Sequence, residues 1–162
     1  EDVREFGGFS IGVAAHPELH PRSTDRASDR RHLADKLKRA DFGITQFFFD
    51  IDAFLRFRDR LARAGVYAPI LPGIMPVTNV TSLRKMVEAC GATLPRWMVR
   101  LFEGLDDDPE TRRLVTAVTT AQLCARLAAE GVEDFHFYTL SKADLAYSIC
   151  RILGVRAKEA AQ

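Results

Sequence analysis

The chain alternates short runs of apolar, β-branched and aromatic residues with longer stretches whose apolar positions recur every three to four residues. The short runs predict strands and the longer stretches predict amphipathic helices. Residues 9–15 read as a first buried strand, stopped by Pro17. A charged stretch then leads into a helix over about 25–39, with a thin apolar stripe of Leu33, Leu37 and Ala40. Residues 42–48 predict a second strand. Asp50 is a helix cap, followed by Ile51, Phe54, Leu55 and Leu61 at helical spacing and by Gly65 as a stop, which predicts a helix over 51–64. Residues 68–71 predict a third strand, ended by Pro72-Gly73. Asn79 caps a helix with Val80, Leu83, Met86, Val87 and Cys90 on one face. Residues 94–105 predict another helix, and Asp108-Pro109 opens a long one over about 109–130. Residues 134–139 predict the fourth strand. Ser141 and Asp144 have the spacing of a capping box for a last helix, ended by Gly154. Residues 1–155 form one unit on this reading, and 156–162 are expected to fray.

Four βα units of one polarity predict an α/β fold with a parallel sheet and helical crossovers, as a barrel or an open sheet. In such folds chemistry collects at the carboxyl ends of the strands. Those ends carry His16 and His20, then Gln46, then residues 72–76, then Tyr138-Thr139 with Ser141 and Lys142. No nucleophile–base pair stands out among them. Neither G-x-G-x-x-G nor G-x-x-x-x-G-K-[ST] occurs.

Several side chains admit more than one role. His16 and His20 stand in H-P-E-L-H. They can ligate a metal with Glu18, hydrogen-bond a ligand, or serve structure alone, although Pro17 spoils the helical spacing of a zinc-type H-E-x-x-H. Gln46 shares strand parity with Ile44. Its amide belongs either to a core network or to the positioning of a planar heterocycle by paired donor and acceptor. Residues 22–31 hold four Arg and two Asp before a helix. They form a solvated face or, with the helix N-terminus and Lys36, a diphosphate site. Phe47, Phe48, Phe49, Phe54, Phe57 and Met86 read as packing, and Trp97 as a partly buried helix residue.

Composition narrows the classes. At 162 residues, 47% hydrophobic and 28% charged, the chain is neither disordered nor fibrous. No apolar run reaches the length of a membrane span. A net charge of +1 calls for neither nucleic acid nor membrane as partner. Cys90, Cys124 and Cys150 are odd in number and lack a C-x-x-C, as expected of small apolar residues in a reducing cytoplasm. The chain opens on Glu1 rather than Met, as expected of a processed chain or a fragment.

Four runs occur in order: Val13-Ala14-Ala15-His16-Pro17-Glu18-Leu19-His20-Pro21, Ile44-Thr45-Gln46-Phe47-Phe48-Phe49-Asp50, Pro72-Gly73-Ile74-Met75-Pro76 and Phe135-His136-Phe137-Tyr138-Thr139-Leu140. With them the chain, from about Gly8 to Val155, resembles bacterial-type methylenetetrahydrofolate reductase. The resemblance implies a TIM (β/α)₈ barrel, of which four strands represent strands 5–8. It implies FAD as cofactor and NADH or NADPH as co-substrate, with reduction of 5,10-methylenetetrahydrofolate to 5-methyltetrahydrofolate in one-carbon metabolism and methionine synthesis. It further implies cytoplasmic location, and a homo-oligomer when complete.

By the same resemblance Ala14, Ala15, His16, His20, Asp29, His32 and Lys36 would hold FAD. Gln46, Ser82, Met86, Tyr138 and Lys142 would meet folate or nicotinamide. The general acid would lie in the first half of the barrel, so the isolated segment is expected to be inactive. Relatives often carry Asn-Arg where Ser141-Lys142 stands, Tyr at His16, Phe at Met86 and a basic residue at Asp35. Lys142 keeps the charge but not the bidentate geometry of arginine. Two rival readings are a non-catalytic flavin- or folate-binding half-barrel and a metal-dependent barrel hydrolase using His16 and His20.

Overall fold

The computed structural model describes Glu5, residues 7–23 and residues 25–156. Four parallel strands stand side by side in chain order: β1 (Gly12–Ala15), β2 (Phe42–Phe47), β3 (Ile70–Ile74) and β4 (His136–Phe137). Helices α1 (Arg26–Leu37) and α2 (Ile51–Arg63) make the first two crossovers. The third contains α3 (Val80–Cys90), α4 (Arg96–Phe102) and α5 (Pro109–Ala129), and α6 (Ala143–Ile152) follows β4. Sequential neighbours joined through helices are what repeated βα units produce. The expected tail falls largely outside the described residues, at 157–162.

Local signals place most helix starts. Asp50 accepts the Ala53 N–H at 3.2 Å, Asn79 the Ser82 N–H at 2.7 Å and Asp108 the Thr111 N–H at 3.0 Å. Each satisfies a donor that the first helical turn leaves open. The helices press apolar stripes onto one side of the sheet. Leu33, Leu37, Phe57 and Leu61 meet Ala15 under α1 and α2. Phe48, Phe54, Ile74, Cys124 and Leu127 join α2 and α5 to the sheet. Phe47, Phe49, Met75, Leu83, Val87, Met98 and Phe102 pack α3 and α4. The five phenylalanines read as packing are all buried, each contributing about 1.5–3 kcal/mol relative to exposure. Phe48 and Phe54 stack with centroids 4.9 Å apart. Cys124 has no exposed surface. That burial, with Cys150 nearby, pushes its thiol up to about 12.

Several boundaries differ from the sequence reading. β1 starts at Gly12, and Phe9 is 69% exposed. The ladder to β2 begins at Gly12↔Phe42, while Ile11 before it donates to the Asp41 carboxylate and accepts the Asp41 and Phe42 N–H groups. β3 does not end at Pro72-Gly73 but runs through it to Ile74. Pro72 has no N–H to give, and β2 answers with a bulge. The register passes from Ile44↔Leu71 to Phe47↔Gly73, so Thr45 and Gln46 together face Pro72. The Gly73 N–H then turns to the Thr45 hydroxyl at 2.8 Å. A Cβ at Gly73 would stand 2.2 Å from the Thr45 carbonyl oxygen and 2.6 Å from the Tyr138 ring, so only glycine fits.

α4 is shorter than 94–105, because Pro95 occupies its N-cap and Glu103 returns to extended backbone. The Ser141–Asp144 capping box does not form. Lys142 is the N-cap of α6 without a side-chain bond, Leu140 and Ser141 take φ of 47° and 66°, and Asp144 pairs with Arg113 at 2.8 Å. β4 has only two ladder residues, although the Tyr138 N–H still reaches the Ile74 carbonyl at 2.8 Å.

Candidate functional site

The end of β1, the loop after it and α1 enclose a cleft of about 260 Å³. Six of the seven residues expected to hold the cofactor line it: Ala14, His16, His20, Asp29, His32 and Lys36. Arg22, Ser23 and Leu33 complete its wall. The seventh, Ala15, is fully buried against α1. Strand alternation turns Ala14 and Ala15 to opposite sides, so the Ala15 side chain stays out of the cleft.

α1 is held by Asp25, which accepts the Ala27 and Ser28 N–H groups at 2.8 Å each. Asp29, in its first turn, accepts the Ser23 hydroxyl at 2.6 Å. Two turns on, Lys36 sends its ammonium back to the Ala14 carbonyl at 2.5 Å, tying the helix to the strand end. The His16 and His20 rings meet edge to face, 4.5 Å apart. His20 accepts the Arg22 N–H on Nδ1 at 3.1 Å. Neutral His20 therefore carries its proton on Nε2. Burial holds His16 below the ordinary imidazole value; His20 and Lys36 push the same way, while Asp29 opposes. His16 is thus a neutral donor–acceptor at neutral pH. Among the described residues no group of three or more His, Cys, Asp or Glu is placed to hold a metal ion.

The residues expected on the substrate side are spread along the sheet. Gln46 is half-buried at the β2 bulge, and its Oε1 accepts the Phe47 N–H at 3.0 Å. Tyr138 lies after β4, and its hydroxyl donates to the Thr45 carbonyl at 2.9 Å. The phenol thus reaches the backbone next to Gln46, from 93 positions away in sequence. Burial, followed by the nearby Cys90, raises the Tyr138 hydroxyl above its usual range. Ser82 is exposed in the first turn of α3. Met86, one turn on, is half-buried against the core under α3. Lys142 is exposed, and its N–H bonds the Thr139 carbonyl at 2.9 Å.

Two residues of this region escape the sequence reading. Thr45 is fully buried and ties together Gly73 and Tyr138. His136 sits half-buried with its ring 4.8 Å from that of Tyr138. The signal for His136 is its i, i+2 relation to Tyr138 within the strand that the sequence predicts over 134–139. The signal for Thr45 is a polar residue inside an apolar run.

The model of the methylenetetrahydrofolate reductase family matches residues 1–154. The chain belongs to that family. Among methylenetetrahydrofolate reductases, the 5,10-methylenetetrahydrofolate reductases of Pectobacterium carotovorum subsp. carotovorum and Escherichia coli (strain K12) are each 46% identical to it over 155 residues. Those residues make up 95% of this chain and 52% of the relatives. The chain therefore spans about half the length of the curated relatives it matches. Among solved structures, an uncharacterized protein from Clostridium thermocellum that binds two copies of 5-methyl-5,6,7,8-tetrahydrofolic acid superposes with a TM-score of 0.56 at 16% identity. The superposition covers 92% of this chain and 55% of that one, and shows a shared fold. Among the described residues no helix is long and apolar enough to cross a membrane.

Proposed function

We propose that the chain supplies strands 5–8 of a (β/α)₈ barrel that, when complete, reduces 5,10-methylenetetrahydrofolate to 5-methyltetrahydrofolate with FAD and NADH or NADPH. The observation that carries this reading is the single cleft gathering Ala14, His16, His20, Asp29, His32 and Lys36. Its donor set fits a flavin dinucleotide. Arg22, ahead of the N-terminus of α1, and Lys36, in its last turn with its ammonium at the end of β1, suit a diphosphate. Asp29 and His32 suit the hydroxyls of a ribityl or ribose chain. At about 260 Å³ the cleft is smaller than the roughly 300–1,000 Å³ typical of a whole-ligand pocket. It would hold the polar middle of the cofactor, with the ring extending over the strand ends past the small side chain of Ala14.

FAD, when bound, supplies hydride acceptance from one substrate and donation to the other. The chain's own residues place the partners. Gln46 presents an amide to the pterin or, in the other half-reaction, to the nicotinamide. Tyr138 borders the pterin, Ser82 and Met86 flank the substrate, and Lys142 meets the glutamate tail. The acid that opens the methylene bridge would come from the other half of the barrel. Support for a folate occupant comes from the names of the relatives and from the folate bound by the Clostridium thermocellum protein. Support for a missing half comes from relatives twice as long and from β1 and β4, each with one neighbour in this sheet.

The test is a chimera joining the first half of the Escherichia coli relative to this chain. A yellow protein absorbing near about 450 nm, as flavins do, with NAD(P)H-dependent consumption of methylenetetrahydrofolate, is expected. A folded but colourless chimera, or a flavin-loaded one inert toward the folate, overturns the reading. The 162 residues alone are expected to show no turnover.

A further inference from the structure

We infer that Glu18 and Thr93 form a latch fixing the loop of His16 and His20 against the far end of α3. One carboxylate oxygen of Glu18 accepts the Thr93 N–H at 2.9 Å, and the other accepts the Thr93 hydroxyl. The partners lie 75 positions apart. They connect the loop after β1 to the loop after α3, although β1 and β3 are not neighbours in the sheet.

A second contact brings the same two loops together through shape. Gly91 caps α3 in the left-handed region at φ 68°. A Cβ there would stand 2.9 Å from the Leu19 carbonyl oxygen and 3.2 Å from the Pro21 ring. Close backbone approach and a two-pronged polar contact thus converge on one junction. Glu18 is half-buried and Thr93 exposed. A polar pair so exposed adds little to global stability, but its two bonds fix direction. Glu18 is accordingly a positioning residue rather than a brace of the core.

The functional meaning rests on the reading above, in which the histidine loop holds flavin while α3 carries Ser82 and Met86 to the substrate. The latch would set the separation between the two. Its existence can be tested without either ligand. The chain has four histidines, His16, His20, His32 and His136, whose ring signals are few enough to follow individually by NMR.

In the 162-residue chain, Thr93→Val is expected to shift the ring signals of His16 and His20 while leaving those of His136 in place. Thr93→Ser, which keeps both donors, restores them. Glu18→Ala is expected to speed amide exchange about tenfold at Thr93 and the last turn of α3, with the melting temperature nearly unchanged. Should Glu18→Ala fold poorly, Glu18→Gln, which keeps an acceptor for the N–H, is read by the same exchange measurement with a smaller increase. Unmoved histidines in Thr93→Val, or exchange in the Glu18 variant that rises only within residues 16–23, overturn the latch and leave the proposed reaction standing. A colourless chimera does the reverse.

Discussion

The two halves of the candidate site are built in different ways. The cleft proposed for flavin is made from one strand, one loop and one helix, so Ala14 to Lys36 form a single local unit. The substrate side draws Gln46 from β2, Ser82 and Met86 from α3, Tyr138 from beyond β4 and Lys142 from the start of α6. It is placed by the sheet rather than by the local chain. Loss of a polar α1 side chain that lines the cleft should therefore act on the proposed cofactor site alone, since the core under α1 rests on Leu33, Ala34 and Leu37. Damage at the β2–β3 bulge should act on folding and on the substrate groups together.

The sharpest way to break the distributed half is Gly73→Ala. A Cβ 2.2 Å from a carbonyl oxygen inside the sheet forces the backbone apart. A loss of about 3 kcal/mol in urea-unfolding free energy is expected, the upper end of ordinary overpacking costs. Lys36→Met should strike the local half instead. It removes a charged donor, and a ten- to hundredfold weaker flavin affinity is expected from a bond worth about 1.5–3 kcal/mol, read by flavin fluorescence in the chimera with folate affinity preserved. Tyr138→Phe deletes the bond to the Thr45 carbonyl. It should lower stability by about 1 kcal/mol and raise the Michaelis constant for folate more than it weakens flavin.

A smaller, directional effect belongs to His16. Its folded-state value lies below the ordinary 6.5, so between the two values the unfolded chain binds more protons. The His16 contribution to stability is full above about pH 6.5 and fades as pH falls through the folded value. Melting temperatures measured from pH 8 down to pH 5 should decline less in His16→Gln. The smallest effect is expected from Lys142→Ala, within about 0.5 kcal/mol of wild-type stability because the side chain is exposed. A large loss there would show that the Leu140–Ser141 corner depends on it.

Local construction also explains what could be read from the sequence. The residues that the family resemblance assigns to the cofactor lie within 23 consecutive positions, and the asparagine and aspartate caps of α2, α3 and α5 act over three residues, so the caps are located by spacing alone. The path of β3 through Pro72-Gly73 is different. Proline marks a strand end by its own chemistry. It is accommodated only because Thr45, 27 positions earlier, lends a hydroxyl to the following N–H and β2 spares an extra residue. The same holds at α6. Ser141 and Asp144 have cap spacing, yet Asp144 is engaged by Arg113 from α5. The roles of Thr45 and His136 depend on partners that the folded sheet supplies, so neither role is legible from the residue's own neighbours in sequence.

The thiol of Cys124 offers a way to watch this architecture open. Sealed between α5 and the sheet and protonated up to about 12, it is closed to alkylating reagents for as long as the helix stays seated. Any reagent that captures it counts excursions in which α5 lifts away. A slow-labelling experiment would therefore measure the breathing of this seam, with no engineered probe and without disturbing the cleft.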